Sequence, residues 1–332
     1  MKLSKKILLS FDYEPYLGAK SGTAARCLLQ PTNALRTILN KYNAQSVFFV
    51  DILYLLNLKK YSESNNDITA IIDQLKTLYA EGRYIFPHIH PHWIDAVYLE
   101  DKKEFSLNDL SHYSLNKLKK DKINSLFAES IKFLQEIGIS YTKWGYRAGG
   151  WCIQPFSLIK DIFIAKDVYF DFSVLPGYKN IHVDQAFDYS MVTWNAPYWF
   201  SDAVETQDVK GAFIEFPIYT IKISQIAETK DRFVRKYLWK IGDRGWGDGI
   251  SAKTSAHTII FDKEMMAIEI LNISKLRGYK EYVQNEEYMH WLSHPKMFTR
   301  HGLKMFDRFL KYAENNFDLI FDFHEMIPPP KK

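Results

Sequence analysis

The chain has 332 residues, of which 47% are hydrophobic, 25% charged and 16% aromatic, a globular composition that excludes disordered, collagen-like and coiled-coil architectures. Its 43 Lys and Arg against 39 Asp and Glu leave a net charge of +4, and the basic residues are scattered along the sequence, so charge gives no case for a nucleic-acid partner. Length leaves one α/β barrel with a long insertion level with two domains, and the 23 Phe, 21 Tyr and 8 Trp exceed what a core of this size needs.

Lys2, Lys5 and Lys6 open the chain like a signal peptide, but the apolar run that follows breaks at Asp12 and Glu14. Without a full apolar region or a small-residue cleavage site, the segment is expected to be mature protein, with Ile7 to Phe11 as the first strand. Thr32 to Tyr42 is expected as a helix behind Pro31, and Ser46 to Val50 as the next strand. The most apolar stretch, Val47 to Leu58, is interrupted by Asp51 and Asn57 and is far short of a bilayer span. Ile68 to Ala80 predicts a helix closed by Gly82, and Tyr84 to Phe86 a strand ending at Pro87. Leu115 to Ile137 predicts a long helix closed by Gly138, followed by strands at Trp144 to Tyr146, Val168 to Ser173 and Ala212 to Tyr219. Lys222 to Met289 is polar and helical, broken by glycines between Gly242 and Gly249, and is expected to be an insertion or lid in which Trp239 and Trp246 select substrate. His301 to Asn315 predicts the last helix and Leu319 to Phe323 the last strand, before the prolines Pro328 to Pro330. Alternating strands and helices imply a mainly parallel α/β sheet or barrel. The only cysteines, Cys27 and Cys152, form at most one bridge, which fits a reducing, cytoplasmic setting.

Acids, histidines and an arginine fall just after the expected strands, where barrel enzymes build their sites. In Ser10-Phe11-Asp12-Tyr13-Glu14 the two carboxylates stand two residues apart, so on extended backbone both reach one point. One can hold a metal while the other acts as base; alone, the pair reads first as a solvated acidic turn after a strand. Three of the chain's ten histidines lie in His88-Ile89-His90-Pro91-His92-Trp93. The spacing of His88 and His92 suits a metal-binding pair whose imidazoles coordinate a zinc-like ion. His294 follows a short apolar run, Trp291 to Ser293, and alone would be an ordinary loop histidine. Arg147 precedes Gly149, Gly150 and Trp151: the glycines let backbone amides approach a ligand, and the tryptophan can wall a pocket. Asp171 is an acid inside an aromatic strand, costly unless paired, with Arg147 or His294 as its candidate partner.

In this order the clusters resemble the five motifs of the polysaccharide deacetylase family, the NodB-like carbohydrate esterases, and are most similar to a branch found in bacterial surface-polysaccharide loci. The resemblance runs from Asp12 to His294 and implies a single domain over 1–332, a distorted (β/α) barrel with the insertion at 222–289. It implies Asp12 as general base, Glu14, His88 and His92 as ligands of a divalent metal, zinc by preference, and His294 as general acid. Arg147 would hold Asp12 and Asp171 would orient His294; Tyr13, Trp93, Gly149, Gly150 and Trp151 are the implied substrate contacts. The implied activity is removal of an N-acetyl group from a sugar or glycan precursor. Two departures stand out: the family's adjacent acids are here spread as Asp12-Tyr13-Glu14, and the proline usual after the arginine is missing from Arg147-Ala148-Gly149. His90 adds a nitrogen that the pattern does not require, as an outer partner or a replacement for Glu14. A metal-dependent hydrolase of another C–N bond, such as a formamide or cyclic imide, and a non-catalytic carbohydrate-binding barrel remain alternatives.

Overall fold

Ser4–Tyr13 (β1) is buried at almost every position beyond its first turn, as a parallel strand covered on both faces must be. The computed structural model describes residues 2–61, 65–182, 184–222, 225–251 and 263–329. After β1 the strands are β2 (Val47–Asp51), β3 (Tyr84–Ile89), β4 (Val97–Leu99), β5 (Glu104–Ser106), β6 (Trp144–Ala148), β7 (Val168–Asp171), β8 (Lys179–Ile181), β9 (Ala186–Asp188), β10 (Tyr198–Phe200), β11 (Phe213–Glu215), β12 (Thr220–Lys222), β13 (Lys263–Met265), β14 (Tyr288–Ser293) and β15 (Asp318–Ile320). The helices are α1 (Gln30–Lys41), α2 (Ile52–Leu58), α3 (Asn65–Ala80), α4 (Lys120–Glu136), α5 (Lys160–Ala165), α6 (Gln225–Lys240), α7 (Ile273–Asn285) and α8 (Arg300–Asn316).

The main sheet runs β10-β11-β7-β6-β3-β2-β1-β14, parallel throughout except at the β10–β11 edge. On one edge of β1, β15 pairs with Ser4 to Lys6 and β14 with Lys6 to Phe11. Residues following β11 and β13 close the gap along β14: Tyr219 N donates to His290 O at 3.1 Å and Leu292 N to Met266 O at 3.0 Å. The result is the distorted (β/α) barrel that the order of strands and helices implies. Its interior is filled by phenylalanines: Phe172 lies 5.0 Å from Phe49 and 4.8 Å, stacked, from Phe216, while Phe323 from the chain's end packs on Phe86, Phe172 and Phe216. Each such buried ring contributes about 1.5–3 kcal/mol, and here the aromatic excess finds much of its use.

Side-chain caps fix two helices at the site end. Thr299 accepts from Gly302 N to start α8, and Asn272 accepts from Ser274 N and Lys275 N to start α7 while donating to Asp231 of α6. α7 packs on α8 and leads directly into β14, so helix and strand alternate again from Ile273 onward. Of the expected insertion, 223–224 and 252–262 lie outside the described residues, as does Pro330. The expected helix from Leu115 is broken, with a 3-10 turn at Leu115–Lys117 and extended backbone at Leu118 and Lys119 before α4. Cys27 and Cys152 are buried free thiols. Among the described residues no helix is long and apolar enough to cross a membrane.

Candidate active site

Extended backbone at the end of β1 sends Asp12 and Glu14 to the same side and Tyr13 to the other. Both carboxylates are buried. Tyr13 lies away from them, its hydroxyl donating to Gln74 of α3 at 2.8 Å, so the expected substrate contact is a core residue.

The same two-residue period operates at the end of β3. His90 is extended (φ −104°, ψ 98°), so it is the ring of His90, not that of His92, that joins His88. The Nε2 atoms of His88 and His90 are 2.9 Å apart and lie 3.1 and 2.7 Å from Glu14 Oε2. Glu14, His88 and His90 thus form a group able to hold a metal ion. The expected set named His92 instead; its ring is buried in the 3-10 turn Pro91–Asp95, stacked on Tyr113, and makes no hydrogen bond among the described residues. His88 Nδ1 donates to Arg147 O at 2.7 Å, which leaves Nε2 to present its lone pair. Two imidazole lone pairs and a carboxylate oxygen at these distances repel unless a proton or cation lies between them, and the nitrogen and oxygen donors suit a zinc-type ion. Burial opposes the charge of His88, but Asp12 and Glu14 outweigh it and push the ring up to about 9. Burial likewise opposes ionisation of Glu14, yet Lys296 and the histidines hold its carboxyl well below the usual range. Trp93, expected as a pocket wall, is 1% exposed; its Nε1 donates to Asp51 at 2.5 Å and its ring packs on Tyr54 and Phe105.

Arg147 is fully buried inside the barrel. Nη1 donates to Asp12 Oδ1 at 2.5 Å, Nη2 to Ser10 Oγ at 2.8 Å, and Nε to Phe172 O at 2.9 Å, with the guanidinium over the Phe49 ring. His290 completes the network, its Nε2 2.8 Å from Ser10 Oγ and 3.2 Å from Arg147 Nη2. Burial raises the Asp12 carboxyl, but Arg147, His88 and His294 more than offset it, so Asp12 is held below its usual range. Asp171 does not orient His294. On β7 it points away from Phe170 and Phe172, with β6, β3, β2 and β1 between it and β14 in the sheet order, and accepts from Ser173 Oγ at 2.9 Å. It sits in register with Glu215 of β11, and burial lifts its carboxyl to about 7.

His294 follows β14 with Nε2 3.5 Å from Asp12 Oδ2 and 3.9 Å from Glu14 Oε1. Its Nδ1 lies 3.0 Å from Glu269 Oε1, the place that the sequence reading gave to Asp171. Burial lowers the His294 ring, but Glu269 and Asp12 outweigh it and raise it above its ordinary value. Lys296, two residues on, donates to Glu14 Oε1 at 2.7 Å and to Pro15 O at 2.8 Å. Glu269 had a readable signal, an acid inside the apolar run Met266 to Leu271, of the kind that marked Asp171. Lys296 stands beside His294 in the same motif.

The turn Gly149–Trp151 lies against His90: a Cβ on Gly149 would sit 2.5 Å from Ile89 O and 2.7 Å from His90 Nδ1, and Gly150 has φ +59°. Two clefts flank the segment carrying Glu269 and share Ile270. One, of about 360 Å³, includes Trp151, Leu175 and Phe187; the other, of about 230 Å³, includes Tyr16, Trp239 and Glu269. The glycine-rich loop is pinned over the site loops, with Gly247 N donating to Lys296 O at 3.2 Å and Trp246 N to Phe298 O at 3.1 Å.

No protein-family model matches the chain, and no curated protein matches it. Among solved structures it is similar to a Mycobacterium smegmatis protein assigned as a polysaccharide deacetylase, with 14% identity, 100% of this chain and 94% of the other covered, and a TM-score of 0.49. It is also similar to Puue allantoinase, with 9% identity, 96% and 87% covered, and a TM-score of 0.48. A family 4 carbohydrate esterase from Streptomyces lividans, solved in complex with acetate, is similar at 7% identity, with 94% and 88% covered and a TM-score of 0.41.

Proposed function

We propose that the chain is a metal-dependent hydrolase that removes an N-acetyl group from a sugar or glycan precursor. The observation that carries this reading is the convergence of Glu14, His88 and His90 beside an Asp12–His294 pair, with their donor atoms within 3.9 Å of Glu14 or Asp12. When bound there, a divalent ion of zinc type lowers the pKa of water to about 7 and polarises the acyl carbonyl. Arg147 fixes Asp12 Oδ1 and leaves Oδ2 facing the reaction space, where an ionised carboxylate accepts the proton of the attacking water. The water oxygen bonds to the acyl carbon. Backbone amides of the Gly149–Trp151 turn are the proposed donors to the oxyanion. Glu269 accepts from His294 Nδ1, which directs the Nε2 proton into the site; that proton passes to the sugar nitrogen as the C–N bond breaks, giving an amine and acetate.

Trp151 and Trp239, each lining one cleft, are proposed to contact the glycan, with the stretch between β12 and α7 acting as an insertion that shapes its approach within a single domain. A cytoplasmic location is part of the proposal and rests on the two free thiols. The test is acetate release from a panel of N-acetylated sugars, nucleotide sugars and lipid-linked sugars, with formate and ring-opened products measured alongside. Acetate formation that falls at least ~100-fold in Asp12→Asn supports the reading; an active Asp12→Asn enzyme, or formate as the product, refutes it.

A further inference from the structure

Helix α6 has a packed side and an open side. Asp231 is fully buried, held by Arg235 at 2.5 Å, Lys275 at 3.4 Å and Asn272, and Leu238 lines the cleft that reaches Glu269. On the opposite side Ile226, Phe233, Tyr237 and Ile241 are 69%, 72%, 58% and 63% exposed, Ile241 continuing the helix through a bond from its N–H to Tyr237 O. At roughly 100° per residue these positions fall within about 80° of one another, a single apolar stripe. Lys230 falls inside the stripe, and Lys240 and Lys236 run along one flank; all three are exposed and make no ion pair among the described residues. The helix's acids lie elsewhere, Asp231 buried and Glu228 paired with Arg232 at 2.5 Å. Lysines that looked scattered in sequence are gathered here by the helical turn.

We propose that this stripe docks the protein on an anionic lipid bilayer surface. Four large apolar side chains in one exposed row mark an interaction site rather than ordinary surface. Ile226, Phe233, Tyr237 and Ile241 stand out along one exposed helix face, so the stripe fits a plane better than an inserted peptide. Aromatic and isoleucine side chains match the boundary between headgroups and acyl chains, and three exposed lysines that make no ion pair among the described residues complement anionic headgroups. Arg235, Leu238 and Trp239 of the same helix line the cleft beside Glu269, so a docked α6 has the bilayer on one side and the approach to the site on the other. The inference rests on α6 alone and stands or falls separately from the hydrolase reading.

Cosedimentation of the full chain with vesicles of phosphatidylcholine, or of equal parts phosphatidylcholine and phosphatidylglycerol, tests it without any turnover. The chain is expected to sediment with the mixed vesicles, to be released by salt, and to stay in solution with phosphatidylcholine alone. Each surface lysine contributes about a five-fold gain in binding, so Lys230→Gln/Lys236→Gln/Lys240→Gln weakens it about 100-fold. Phe233→Ser/Tyr237→Ser also weakens binding, and because both rings are exposed its thermal midpoint stays at the wild-type value, separating lost docking from lost folding. Equal binding to both vesicle types, or wild-type binding by both variants, overturns the proposal. So does sedimentation velocity showing a dimer that Phe233→Ser/Tyr237→Ser dissociates, because a second copy would then be the occupant.

Discussion

Replacing Arg147 by Met keeps an apolar stem over Phe49 and removes the charge that Asp12 faces inside the barrel. The pair is 0% and 5% exposed at the side chains and 2.5 Å apart, and Arg147 also serves Ser10 and the Phe172 carbonyl. With charge centres about 4 Å apart and an effective dielectric of about 20, the attraction is about 4 kcal/mol. Breaking a buried pair by removing one partner costs about 3–5 kcal/mol, much of it the cost of stranding the other charge. Urea unfolding of Arg147→Met is therefore expected to lose about 4 kcal/mol, a large share of a typical total of about 5–15 kcal/mol. At an m-value near 3 kcal/mol/M this moves the midpoint down by about 1 M or more. In an Asp12→Asn background nothing charged is stranded, so the same replacement should cost at least about 2 kcal/mol less. A cost below about 1 kcal/mol, or equal costs in the two backgrounds, would refute the view that Arg147 exists to hold an ionised Asp12.

Three further outcomes follow from the geometry. Glu269→Gln removes the charge that holds up His294, so the basic limb of the pH profile of kcat/KM should move to lower pH and kcat should fall ~100-fold or more; an unmoved limb would show that Glu269 is only packing. Gly149→Ala drives a methyl group into Ile89 O and the His90 ring, and should cost about 1–3 kcal/mol together with metal affinity, whereas Gly278→Ala, which meets nothing within 4 Å in α7, should be neutral or stabilising in the same assays. Asp171 is held at about 7 by burial, so the folded chain keeps a proton that the unfolded chain releases near pH 4. Its contribution is full below about pH 4 and is lost as pH rises through about 7; the urea midpoint of Asp171→Asn should depend less steeply on pH over that range than that of wild type, and parallel curves would contradict the assignment.

Much of the fold was legible because each long strand is an apolar run ending in polar residues, and the site because those endings carry its acids, histidines and arginine. What the sequence misassigned follows from local backbone. The i, i+4 spacing favoured His88 with His92, but β3 carries extended backbone to His90, and extended chain pairs residues two apart. The same alternation that joined Asp12 to Glu14 turned Tyr13 toward Gln74. Trp93 follows the three histidines in sequence but sits in a 3-10 turn that faces α2 and Asp51. The resemblance put Asp171 beside His294, and no pattern in one sequence shows that four strands of the sheet separate its strand from β14 while Glu269 arrives beside His294 from a loop 25 residues upstream. α2 escaped notice because it continues the apolar run of β2 and is buried nearly all round, leaving no periodicity to read.

The most direct test of the central claim is the divalent-ion content of the purified chain, measured by atomic emission for wild type, His90→Ala and His92→Ala. Wild type and His92→Ala are expected to hold one equivalent of ion per chain and His90→Ala to lose it. An active wild-type enzyme without bound ion, or a His92→Ala protein that loses the ion while His90→Ala keeps it, would contradict a metal centre built from Glu14, His88 and His90.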